Sequence, residues 1–232
     1  MGDQNGNVFF FEFNGSQFTQ AIQHYRQSNS LFVVGSDEEP KRVVCIQSPD
    51  RPFSYEHNEG VFQYRGQLIT SGMITGVPYS AFMSSGGDYY FIVDSPNGVH
   101  AFRFNGSIFT HFQTIAAADS PWVVALNPNK TYAVVGCLAS IILYSFDGLT
   151  FTKLNEIAES HNFLKIVFDG DTIFGINSND EIFTYTIQNS TLVKIQTFTL
   201  NSQPLNLFSR DGPTGEKIII VFFSSSTVYY KY

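Results

Sequence analysis

The chain is 232 residues long, enough for one large all-β domain or two small ones, with a sizeable core. Hydrophobic residues at 43% and charged residues at 14% exclude a disordered chain. A formal net charge of −7, with the 13 Lys and Arg scattered singly, leaves no basic patch to track a phosphate backbone or an anionic membrane, so nucleic acid and membrane surfaces are excluded as partners.

Taken in order, the chain opens on the polar stretch Met1–Asn7, and no apolar run approaches the roughly 18 residues of a spanning helix. The expectation is a cytoplasmic protein without signal peptide, anchor or membrane insertion. The first patterned segment, Phe11-Glu12-Phe13-Asn14-Gly15-Ser16-Gln17-Phe18-Thr19, returns as 102–110 and as 144–152. Asn-Gly and Asp-Gly supply the positive φ angles of a type I′ turn, which predicts a tight two-residue hairpin in each copy. With Gly15 as reference, the corresponding positions are Gly66, Gly106, Gly148 and Asn189, at spacings of 51, 40, 42 and 41 residues. Two and four residues before each reference stands a bulky apolar side chain, with Glu12, Gln63, Arg103, Ser145 or Thr186 between them. That is the period-2 alternation of a half-buried strand.

Between the hairpins lie pairs of apolar runs: 31–34 with 42–46, 79–83 with 89–93, 122–126 with 132–135, 163–168 with 172–176, and 205–208 with 217–223. Each period therefore holds four strands, and four-stranded units at this spacing predict an all-β fold, a β-propeller of four-stranded antiparallel blades. Five inner pairs and a further outer strand at 227–232 predict a single domain over 1–232. Its five blades form a ring closed by the N- and C-terminal strands, which leaves no exposed sheet edge there.

The long first spacing reads as an insertion at 48–60 carrying Arg51, Phe53, Tyr55 and His57, residue types that concentrate at interface hot spots. These four, with the single tryptophan Trp122, are the candidate partner-binding residues. The competing reading is an insertion packed on its own aromatics, with Trp122 in the core. Cys45 and Cys137 read as buried thiols.

No chemistry converges in the sequence. The innermost runs contain no Asp or Glu; Asp119, Asp169 and Asp171 flank them, where acidic residues ordinarily serve turns. His24, His57, His100, His111 and His161 show no metal-ligand spacing, and His100 and His111 read as an exposed cross-strand pair. No metal or cofactor is expected.

Phe104-Asn105-Gly106-Ser107, followed by Phe109, Phe112-Gln113 and Ile115, resembles the EAR (epitempin) repeat. That resemblance implies a propeller used for protein–protein recognition. The expected function is a non-catalytic, WD40-like interaction scaffold that binds another protein. A carbohydrate-binding propeller lectin with a glycan partner is the alternative, and a five-bladed glycosidase, which would need paired carboxylates in its channel, is a third.

Overall fold

A computed structural model describes residues 8–13, 16–24, 31–35, 41–47, 53–58, 61–67, 73–75, 77–117, 119–160, 162–211, 217–223 and 226–231. Among them are 21 strands, a 3₁₀ turn at Ser85–Gly87 and no α-helix. The chain divides into two compact units, Met1–Thr114 and Ile115–Tyr232.

In the first unit, β1 (Val8–Phe13) and β2 (Phe18–His24) form a two-stranded sheet. A four-stranded antiparallel sheet follows, in the order β3 (Leu31–Gly35), β4 (Lys41–Gln47), β5 (Phe53–Asn58), β6 (Val61–Gln67). A second runs β7 (Val77–Met83), β8 (Tyr89–Ser95), β9 (Gly98–Phe104), β10 (Phe109–Ile115). The second unit holds β11 (Pro121–Leu126), β12 (Tyr132–Cys137), β13 (Ser140–Phe146) and β14 (Phe151–Ala158) in one sheet. Another contains β15 (Phe163–Asp169), β16 (Thr172–Asn177), β17 (Glu181–Gln188) and β18 (Thr191–Thr199). A three-stranded sheet completes it: β19 (Asn206–Asp211), β20 (Lys217–Phe222) and β21 (Thr227–Lys231).

The repeat is more regular than the sequence suggested. The strands β1, β5, β9, β13, β17 and β21 begin at residues 8, 53, 98, 140, 181 and 227, at intervals of 45, 45, 42, 41 and 46. The expected insertion at 48–60 is corrected accordingly. Residues 53–58 are the third strand of their sheet, and Phe62 and Tyr64 lie on its fourth strand. Both strands carry aromatic–polar–aromatic alternation, so the pattern before Gly66 imitated the one that belongs to β5.

Turn chemistry is corrected as well. Asn105–Ile108 and Asp147–Thr150 are four-residue connections, in which only Gly106 (φ 95°) and Gly148 (φ 92°) have positive φ. Asn105 Oδ1 accepts from the amides of Ser107 and Ile108, both at 3.0 Å, and Asp147 Oδ1 from those of Leu149 and Thr150 at 2.8 and 2.7 Å. These side chains serve as turn acceptors. Two positive φ angles in succession occur instead at Asn189 (49°) and Ser190 (60°), between β17 and β18. The Asn14–Gly15 turn lies outside the described residues.

A bulge recurs where the third strand meets the fourth, at Phe10/Phe11, Ser54/Tyr55, Leu143/Tyr144 and Thr184/Tyr185. Each bulge places one extra residue on the fourth strand, Ala21, Arg65, Leu154 and Ile195 in turn, opposite an aromatic residue of the third. In the second unit two of these rings reach a neighbouring segment: Tyr144 donates to the Ala116 carbonyl at 3.1 Å and Tyr185 to Glu159 Oε1 at 2.5 Å.

Among the described residues, apolar clusters join neighbouring sheets face to face within each unit. In the first unit Val44 of β4 meets Met83, Tyr90, Ile92, Phe102 and Phe109. In the second, Phe174, Ile176 and Ile182 meet Leu207, Ile219 and Val221. The opposite face of the β19–β21 sheet presents Phe208, Phe222 and Tyr229, all exposed.

Candidate functional site

Of the sequence-derived candidates, Tyr55 and Trp122 have described side chains. Arg51 and the side chains of Phe53 and His57 lie outside the described residues. Tyr55 is only 3% exposed, in the core, on β5 opposite the bulge that Arg65 makes in β6. Trp122 is half-buried at the point where β11 slips register against β12, between Pro121 and Val123. A buried tyrosine and a half-buried strand tryptophan give a partner little to grip.

The carboxylates keep structural roles. Asp119 accepts from the amides of Ser120 at 2.8 Å and Ala139 at 2.5 Å. Asp169, the last residue of β15, pairs with Lys217 Nζ at 2.9 Å. Among the described residues no group of three or more His, Cys, Asp and Glu is placed to hold a metal ion. Cys137 is a free, buried thiol, and burial pushes it up to about 12.

Two polar constellations went unread in the sequence. Arg42 Nη1 donates to the Gly86 and Gly87 carbonyls at 3.1 and 3.4 Å, and the guanidinium lies 3.9 Å from the centre of the Phe104 ring. It also pairs with Glu56 at 3.5 Å and Asp88 at 3.7 Å, and Glu56 is held in turn by Arg65 at 2.5 Å. Arg42 thus clamps β4 to the turn between β7 and β8.

The second constellation corrects the reading of His100 and His111 as an exposed pair. The rings do face each other, with centroids 5.9 Å apart, but His100 is buried, 3% exposed. Its Nε2 lies 3.3 Å from Asp94 Oδ2 and its Nδ1 lies 3.0 Å from Thr114 Oγ1. His111 Nε2 reaches the same hydroxyl at 3.1 Å. Asp94 is fully buried and also accepts from the Thr75 amide and from Asn97 Nδ2, each at 3.1 Å. Burial, and then the His100 imidazole, hold His111 below the usual histidine range.

The second unit also carries an exposed sheet edge. β14 and β18 are the last strands of their sheets, and residues 194–199 of β18 are exposed without interruption. Ile195 is 55% and Phe198 42% exposed, against a single charge on that strand, Lys194. The start of β18 is tied to β14: Asn155 Oδ1 accepts from the Leu192 amide at 3.1 Å, and Lys194 Nζ sits 3.0 Å from both oxygens of Glu159. Hydrogen bonding to Glu159 adds to burial in pushing the Tyr185 phenol far above its ordinary value. Residues 195–199 extend beyond these ties as an exposed sheet edge, on which Ile195, the extra residue of the bulge opposite Thr184 and Tyr185, and Phe198 stand among the polar Gln196, Thr197 and Thr199.

No family model and no characterised protein matches the sequence. Solved structures do match in fold. A Bacteroides uniformis protein assigned as a 6-phosphogluconolactonase aligns at 14% identity and a TM-score of 0.73, over 100% of this chain and 78% of its own. Sqt1 of Saccharomyces cerevisiae aligns at 11% identity and 0.76, over 100% and 67%. A chain of the mitotic checkpoint complex aligns at 13% identity and 0.77, over 99% and 71%. At such identities the likeness shows the fold alone. The class it defines is an all-β protein of repeated four-stranded antiparallel sheets, with propeller proteins among its structural neighbours.

Proposed function

We propose that this chain is a non-catalytic scaffold that binds another protein along the outer strands of its second unit. The observation that carries the reading is the uninterrupted exposure of residues 194–199 on an edge strand bearing Ile195 and Phe198. A surface of this kind marks an interaction site more often than an idle one. The mitotic checkpoint complex among the structural neighbours, a multi-protein assembly, supports the same reading.

The proposal includes the finer architecture: a five-bladed ring closed by the terminal strands. Five innermost strands, β3, β7, β11, β15 and β19, support the count. The β19–β21 sheet is one strand short of the other sheets in its unit, and its exposed Phe208–Phe222–Tyr229 face is the apolar surface that closure would cover.

Affinity capture from an extract of the source organism tests the function, comparing the native chain with an Ile195→Asp/Phe198→Asp variant whose circular dichroism is unchanged. The native chain is expected to retain a protein that the variant loses. Equal recovery by both would remove the β18 edge from the proposal. The names of the lactonase-like neighbours define the competing activity, so hydrolysis of 6-phosphogluconolactone by the purified chain would overturn the non-catalytic reading.

A further inference from the structure

We propose that His100 and His111 form a two-histidine binding site for a first-row divalent transition metal, with Asp94 as the residue that orients His100. The two imidazole nitrogens converge on one point, Thr114 Oγ1, from 3.0 and 3.1 Å. An ion at that point needs each nitrogen at about 2.0–2.1 Å, so each ring closes in by about 1 Å while the Thr114 hydroxyl rotates aside. Thr114 is exposed and His111 half-buried, which leaves the site open to ions from solvent and to waters that complete the coordination.

Asp94 supplies what separates a ligand pair from two adjacent rings. Its Oδ2, 3.3 Å from His100 Nε2, accepts the Nε2 proton and so leaves the Nδ1 lone pair directed at Thr114. Metal-ligating histidines recurrently donate their second nitrogen to a carboxylate, which fixes the tautomer and the ring orientation. Asp94 is anchored in turn by the Thr75 amide and Asn97, and it is wholly buried. The arrangement is therefore built before any ion arrives. The sequence brought the two histidines together across neighbouring strands of the β7–β10 sheet but left out Asp94 and the burial of His100.

Imidazole ligation suits Zn²⁺, Ni²⁺ and Cu²⁺, with Cu²⁺ bound most tightly. Calorimetric titration of the untagged full chain with ZnCl₂, and separately with CuCl₂, is expected to show one site per chain, tighter for Cu²⁺. His111→Gln should weaken both by at least about 10-fold, and Asp94→Asn by about 10- to 100-fold, the usual cost of losing an orienting partner. Thr114→Ala should bind at least as well as the native chain, since the hydroxyl only holds the place of the ion. A native chain unsaturated at about 1 mM metal, well above the concentrations at which imidazole sites fill, would overturn the proposal; so would a His111→Gln variant that binds like the native chain. Should Asp94→Asn fail to fold, His111→Gln decides alone, because a half-buried strand residue tolerates that change.

Discussion

Around Arg42 in the first unit and around Gly136 in the second, two sheets of the same repeat meet through opposite chemistry. At Arg42 a charge, only 12% exposed along its side chain, is shared among Glu56, Asp88, two carbonyls and an aromatic face. At Gly136 polar groups are replaced by contact: a Cβ there would sit 2.6 Å from Phe163 Cβ and 2.9 Å from both Ile166 Cδ1 and Val123 Cγ1. The repeat fixes where strands run and leaves open what lies between sheets. A buried ion cluster fixes register through directional bonds but costs desolvation; a glycine contact gains apolar burial but tolerates no added atom.

The sharpest way to break this comparison is Arg42→Ala. It leaves Glu56 with Arg65 alone and strips two carbonyls of their donor, so the loss should be roughly 3 kcal/mol, the low end for breaking a buried pair. Arg42→Lys keeps the charge but cannot serve carbonyls, ring and carboxylates together, and should recover only part of this. Urea unfolding of the three chains measures the difference. An Arg42→Ala loss within about 0.5 kcal/mol, the scale of ordinary surface changes, would mean that apolar packing holds the first unit as it does the second.

Gly136→Ala comes next. The listener to the new methyl is Phe163 Cβ, fixed on its strand, so the sheets must separate rather than one side chain swing away. The expected loss is about 1–3 kcal/mol, as for overpacking elsewhere. Gly175→Ala, whose Cβ would meet the Phe163 ring edge at 3.1 Å, should cost less, since a ring can tilt. Equal costs at the two positions would show that Phe163 as a whole, and not its Cβ, sets the spacing.

Much of this fold was legible because period-2 alternation is local: each of the five inner pairs of apolar runs is a pair of neighbouring strands in the structure. The misreading at 48–60 arose where β5 and β6 carry the same alternation, so the glycine after the second pattern stood in for the turn after the first. Turn type was hidden for another reason. Asn105 and Asp147 use their side-chain oxygens on the amides ahead, so that a single backbone bond, Asn105 N–H to Ile108 O and Asp147 N–H to Thr150 O, closes each turn. The Asp94–His100 pair was within reach of the sequence: with 95–97 read as a hairpin turn, Ile92 pairs with His100 and Asp94 with Gly98, making Asp94 and His100 diagonal neighbours on one face. The Arg42 clamp was not, since 44 residues separate it from Gly86.

The mildest test exploits the titratable groups that the second unit buries neutral, in contrast to the ionised ones of the Arg42 cluster. Burial pushes both Cys137 and Tyr144 up to about 12. In the unfolded chain they ionise near their ordinary values, about 8.5 and 10. Between those values and about 12 the unfolded state therefore holds fewer protons than the native one, so stability falls as pH rises. Below about pH 8 both groups are protonated in either state and the contribution is constant. Melting temperatures from pH 8 to pH 11 should decline for the native chain and decline less steeply for Cys137→Ala, in which Tyr144 and Tyr185 still act and Lys165, held low by burial, opposes them. Identical slopes would show that Cys137 stays protonated in the unfolded chain or is reached by water in the folded one, and fast reaction of the native thiol with a disulfide reagent at pH 8 would distinguish the second case.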